Sequence, residues 1–213
     1  MTQTKCKPVI NHSLKRHVSS GALAIVFYAT LAMPLSLNAI AENRTNNAET
    51  YGLMQTLNAR LQQSSSATLT LENWCSEHQL AKPPVIKAHV LPTAFKTPDA
   101  SVLSQLAVEA SQPLAYRKVE LRCGDRVLSV AENWYVPARL AAEMNTMLAT
   151  SHTPFGKAIA PLKPYRKTTN TIMLWSGSGN IPPALFEHHA TVYDADHRPL
   201  AVVRETYQHQ LLP

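Results

Sequence analysis

The sequence predicts an α+β domain built on an antiparallel β-sheet. Two hairpin signatures carry most of that reading. In the first, "LAYRKVELRC" (114–123) and "RVLSVAENWYVP" (126–137) flank Gly124-Asp125, a pair suited to a two-residue turn with positive φ. In the second, "LFEHHATVYD" (185–194) and "RPLAVVRETYQHQ" (198–210) flank "ADH". The third observation is the set of helix-like segments before and between these hairpins. Consecutive hairpins make antiparallel pairs, and the interspersed helices make the class α+β. At 213 residues and 45% hydrophobic content, the chain can bury one sizeable core.

Taken in order, the chain opens on a leader. Lys5, Lys7, Lys15 and Arg16 precede a run with no charge from Gly21 to Ala41, which closes on the small-x-small triplet Ala39-Ile40-Ala41. This is the layout of a signal peptide over residues 1–41, with a periplasmic or secreted mature protein; the alternative is an uncleaved membrane anchor. Residues 42–50, "ENRTNNAET", are expected to be a flexible new N-terminus, and 51–213 the folded domain. "YGLMQTLNARLQQ" (51–63) has helical spacing at Leu53, Met54, Leu57 and Leu61. The serines at 64–66 end it and cap the next helix, "ATLTLENWCSEHQL", which Pro83-Pro84 closes. "PVIKAHVL" (84–91) reads as a strand. Asp99 caps a short helix around 100–110. After the first hairpin comes an amphipathic helix at 138–151, then the loop "HTPFGKAIAPL" and a solvated basic loop, "KPYRKTTN". "TIMLW" (171–175) is a strand and "SGSGNIPP" a loop suited to a mobile flap.

Charge and cysteine usage bound the function. The net charge is +6. Removing the leader's four basic residues leaves sixteen Lys and Arg against fourteen Asp and Glu. That is not the balance of a nucleic-acid-binding chain, and no nucleic-acid partner is expected. Cys6 falls in the leader. Cys75 and Cys123 remain, an even pair for an oxidising compartment: either a disulfide or two buried thiols. Of Glu187, His188 and His189, the adjacent histidines point to opposite strand faces, so no metal site is expected. "WSGSGN" lacks the ending of a phosphate loop.

Alternation singles out two charges. In "AVVRETYQ", Ala201, Val203, Glu205 and Tyr207 share the apolar face. In "YRKVELRC", Arg117, Val119, Leu121 and Cys123 share one face and Lys118, Glu120 and Arg122 the other. Two strands therefore each carry one inward charge, of opposite sign. Arg117 and Glu205 form a structural ion pair, or sit at strand ends that reach solvent, or line a cavity in which Arg117 receives a ligand carboxylate and Glu205 handles a hydroxyl or a proton.

Four stretches, in order over roughly 52–210, resemble the chorismate lyase family: "SATLTLE" (66–72), "YRKVELRC" with the following Val136-Pro137, "HTPFGKAI" (152–159) and "RPLAVVRET" (198–206). The resemblance implies an antiparallel sheet with helices on one side and an internal ligand cavity closed by flaps. It implies release of pyruvate from chorismate, or a similar ether, to give 4-hydroxybenzoate, with no cofactor. Arg117 would grip the substrate carboxylate; an ungapped match would place that role on Lys118, but alternation favours Arg117. Glu205 would be the second catalytic residue. Phe155 with Gly156, and Ala67 with Thr68, would line the cavity, Phe155 and Ala67 differing from the family's leucine and methionine. The alternative is a non-catalytic periplasmic binder of a small aromatic carboxylate, since a related fold senses ligands in some bacterial regulators and fold alone does not imply catalysis. The expected partner is a small aromatic or cyclohexadienyl carboxylate. The protein is expected to be a monomer that meets a membrane only if the leader is kept.

Overall fold

The structure is a computed structural model that describes residues 35–213, with side-chain surroundings from residue 46 onward. The two hairpins are both present. β2 (Ala115–Cys123) and β3 (Arg126–Tyr135) turn through Gly124, whose φ of 57° is a left-handed conformation. A Cβ at that position would also meet the Cβ of Ala81 at 2.8 Å. β5 (Ala184–Tyr193) and β6 (Pro199–Gln208) form the second hairpin. The hairpins join through antiparallel β3–β6 pairing. With β1 (Ile86–Val90) and β4 (Tyr165–Met173) at the edges, the order is β1-β2-β3-β6-β5-β4.

Helices α1 (Leu35–Gln63), α2 (Ala67–Glu77), α4 (Ala142–Thr150) and α5 (Phe155–Ala158) lie along one face of this sheet. Met54, Leu57 and Leu61 of α1 are fully buried against Phe186 and Tyr207. α3 (Ala100–Leu106) packs on the opposite face, where Val102 and Leu106 meet Trp134 and Val202. Two caps behave as their residue types predict. Ser66 accepts from the Leu69 N–H at 3.3 Å, and Asp99 accepts from the Val102 N–H at 2.9 Å. Cys75 and Cys123 are joined as a disulfide that ties α2 to the end of β2, with a Cα–Cα separation of 6.5 Å.

Several segments differ from the sequence expectations. Residues 42–50, expected to be a flexible N-terminus, lie within the helix α1. Their composition holds no Gly or Pro to stop a helix, and Asn47 donates to the Gly179 carbonyl at 2.9 Å. The helix expected at 138–151 starts with a 3₁₀ turn, Pro137–Arg139, before α4. The basic loop "KPYRKTTN" is mostly strand: β4 begins at Tyr165 and ends at Met173. The signal peptide expected at 1–41 lies largely outside the described residues; residues 35–41 open α1. Among the described residues no helix is long and apolar enough to cross a membrane.

Candidate functional site

Antiparallel register arranges the inward residues of the sheet in rows. Arg117 of β2 stands opposite Asn133 of β3, which stands opposite Val203 of β6. One row along, Val119 faces Ala131, Ala131 faces Glu205, and Glu205 faces His188 of β5. Above this floor sit the N-terminal end of α2, with Ser65 to Thr68, and the start of α5, with Pro154, Phe155 and Gly156. Between floor and roof lies a cavity of about 90 Å³. Its wall includes Arg117, Glu205, Ala67, Thr68, Phe155 and Gly156, so the six residues singled out from sequence are brought to one place. The volume is well below the roughly 300–1,000 Å³ of drug-sized pockets and sets a small-molecule scale.

The two charges singled out by alternation do not pair with each other. Glu205, 6% exposed, accepts from Arg166 of β4 through Oε2, and from the Tyr207 hydroxyl at 3.1 Å. Arg166, 9% exposed, also donates to the Leu61 carbonyl at 3.2 Å and to Thr168 Oγ1 at 3.1 Å. Burial alone would lower the Arg166 pKa, but the Glu205 carboxylate and the Tyr207 phenol beside it raise it. Burial and then Glu205 push the Tyr207 phenol well above its ordinary range. This end of the cavity is a compensated charge network.

Arg117 has a different environment. It is 6% exposed, and its guanidinium donates to the carbonyls of Thr153 at 3.1 Å and Ser151 at 3.2 Å. These bonds hold the loop that leads into Phe155, whose ring lies 5.4 Å from that of Tyr135. Among the described residues no carboxylate comes within 4 Å of Arg117. Its Nε–H is buried with no acceptor, and burial lowers its pKa, though a guanidinium stays charged at neutral pH. The wall thus carries two cations and one carboxylate.

Sequence reading missed two members of this wall. Arg166 sits in a stretch with almost no apolar residues, so hydrophobic alternation gave no strand signal there. Asn133 lies between inward Ala131 and Tyr135 on β3, and the alternation rule that selected Arg117 would have found it. Glu187, His188 and His189 make no metal cluster; among the described residues no group of three or more His, Cys, Asp or Glu is placed to hold an ion. His188 is buried and bonds Asn58 of α1 at 2.7 Å, while His189 points to Glu187 on the other face.

No family model matches the chain. It is 39% identical over 186 residues to "Uncharacterized protein y4mC" of Sinorhizobium fredii, covering 78% of each protein. Among solved structures, PhnF of Mycobacterium smegmatis aligns at a TM-score of 0.48 and 12% identity, over 70% of this chain and 65% of that one. The effector domain of PhnF gives 0.47 and 13%, over 68% and 88%. A GntR-family transcriptional regulator of Enterococcus faecalis gives 0.43 and 9%, over 59% and 96%. These findings correct the chorismate lyase assignment. The sequence relative carries no such description, and the solved structures are titled as regulators or effector domains. Four short stretches carried the resemblance. They fall on α2, β2, the loop into α5 and β6, and a shared placement around a cavity does not by itself carry shared chemistry. The same titles give no support to the expectation of no nucleic-acid partner. The structure itself shows a covered cavity in an α+β fold, with two arginines, one glutamate and an apolar floor in its wall.

Proposed function

The chain belongs to the family of the Sinorhizobium fredii protein y4mC, and for it we propose a non-catalytic role: binding a small carboxylate in the cavity, with the acid group on Arg117. One observation carries the reading. A nearly fully buried guanidinium, without a carboxylate among the described residues, forms part of a cavity wall. Burying an unpaired charge costs several kcal/mol. A ligand carboxylate would compensate it and supply the missing acceptor, through charge-assisted hydrogen bonds that a planar fork makes well. The apolar floor of Val119, Ala131 and Val203 suits the carbon body of the ligand.

In this reading Glu205, held by Arg166 and Tyr207 through Oε2, anchors the cavity wall, and the group that meets the ligand is Arg117. The site would work in an exported protein, a placement that the Cys75–Cys123 disulfide supports. N-terminal sequencing of protein from its host should then begin near Glu42.

Thermal unfolding of the full chain with benzoate, 4-hydroxybenzoate and phenylacetate, against the matching amides, tests the reading. A ligand at a hundred times its Kd stabilises by about 2.7 kcal/mol, about 5–10 °C for a domain of this size. At least one acid should produce that shift, its amide should not, and Arg117→Met should abolish it. No shift with any acid, or a shift that survives in Arg117→Met, would overturn the proposal. So would release of pyruvate from chorismate by the pure protein.

A further inference from the structure

Asn133 has no part in the charge balance just described, yet it is a buried polar residue of the cavity wall, paired in register with Arg117 and Val203. It is 4% exposed, and its Oδ1 is buried with no hydrogen-bond partner. Leaving such an atom unpaired costs about 1–3 kcal/mol. Its neighbours across the strands are Arg117 on one side and apolar Val203 on the other. The orphaned Nε–H of Arg117 belongs to that same row. A donor and an acceptor, both buried and both without partners, thus stand on directly opposed residues of one antiparallel pair. Such residues have Cβ atoms about 4.5–5.5 Å apart.

From this juxtaposition we infer that Asn133 determines specificity by accepting a hydrogen bond from a hydroxyl or amino group one carbon away from the ligand's carboxylate. The ligand class is a 2-hydroxy or 2-amino carboxylic acid. This deepens the carboxylate reading and rests on it. Arg117 takes the acid, and the side chain next to it takes the donor on the adjacent carbon. A donor at the far end of an aromatic ring lies too far from the carboxylate to reach Asn133 while the acid is on Arg117. The apolar remainder of the floor, Val119, Ala131 and Val203, then receives the rest of the molecule.

Calorimetric titration of the full chain with a matched series tests this. The series is phenylacetate, each enantiomer of 2-hydroxy-2-phenylacetate and of 2-amino-2-phenylacetate, 4-hydroxyphenylacetate and 2-oxo-2-phenylacetate. One enantiomer of the hydroxy or the amino acid should bind about tenfold more tightly than phenylacetate, and whichever does so identifies the donor. 4-Hydroxyphenylacetate should bind no better than phenylacetate. In Asn133→Leu the 2-substituted acid should lose its advantage over phenylacetate measured in the same variant, a loss of preference that a merely structural role for Asn133 would not produce. Equal binding of phenylacetate and all the 2-substituted acids would overturn the inference, and so would tightest binding of the 2-oxo acid, which offers no donor. The wild-type series decides even if Asn133→Leu does not fold. If phenylacetate binds without any preference, only the Asn133 role falls; if no acid binds, the carboxylate reading falls with it.

Discussion

Arg117 and Arg166 are almost equally buried, on one cavity, 6% and 9% exposed, yet they are held in opposite ways. Arg166 has a carboxylate, a hydroxyl and a backbone carbonyl around it. Arg117 has two backbone carbonyls and an Nε–H with no acceptor. Both keep a charge out of water, which is costly unless it is compensated. The first guanidinium is compensated within the chain, and its removal should be felt as lost stability. The second is left for something that is not part of the chain, and its removal should be felt as lost binding.

The largest effect should follow from breaking the compensated pair. Glu205→Gln leaves Arg166 buried without a counter-charge and should cost about 3–5 kcal/mol in denaturant unfolding. The double change Arg166→Met with Glu205→Leu removes both charges and should recover most of that loss. A Glu205→Gln variant as stable as the wild type would erase the distinction between the two arginines. The next effect in size belongs to the disulfide, which braces α2, and so the cavity roof, against β2. Reducing it, or Cys75→Ser with Cys123→Ser, should cost about 2–4 kcal/mol, read as a lower midpoint in the presence of a reductant.

A pH effect reports on the Arg166 end from a third residue. His188 faces Glu205 across β5 and β6, and burial, then Arg166 and His189, lower its pKa to about 4. Folded His188 is therefore neutral where an unfolded histidine, near 6.5, would take a proton. The unfolded state binds more protons between these values, so stability should fall as pH drops from about 6.5 towards 4. His188→Gln should flatten that limb of the stability profile. A slope unchanged in His188→Gln would assign it to another group. The smallest stability change should come from Arg117→Met. It relieves a buried charge while two carbonyls lose their donor, so the net change should stay within about 1 kcal/mol. A loss of several kcal/mol there would make Arg117 structural.

Much of this contrast was legible in the sequence, and for one reason. Alternation turns Arg117 and Glu205 inward on strands whose other inward residues are apolar, and the burial of Val119, Leu121, Val203 and Tyr207 follows that pattern. The turn at Gly124 and the caps Ser66 and Asp99 were legible because each is a local geometry with a local residue preference. The partner of Glu205 was not. Arg166 lies on an edge strand where it alone is buried and the other side chains are half-buried or exposed, so no periodicity marks it. Register between strands distant in sequence decides which opposite charges meet, and composition does not encode register. The helix over 42–50 was not legible because these residues carry no apolar periodicity of their own and continue the helix that begins at Leu35.

The most direct test follows the side-chain Nε–Hε resonances of both arginines by NMR in the ¹⁵N-labelled full chain while phenylacetate is added. The Arg117 Nε–H has no acceptor in the free protein, and a bound carboxylate would supply one. Its resonance should move downfield and its exchange with water should slow, while the Arg166 resonance, already in its ion pair with Glu205, stays in place. Movement of Arg166 with Arg117 unchanged, or binding of phenylacetate that moves neither, would contradict the assignment of the open charge to Arg117.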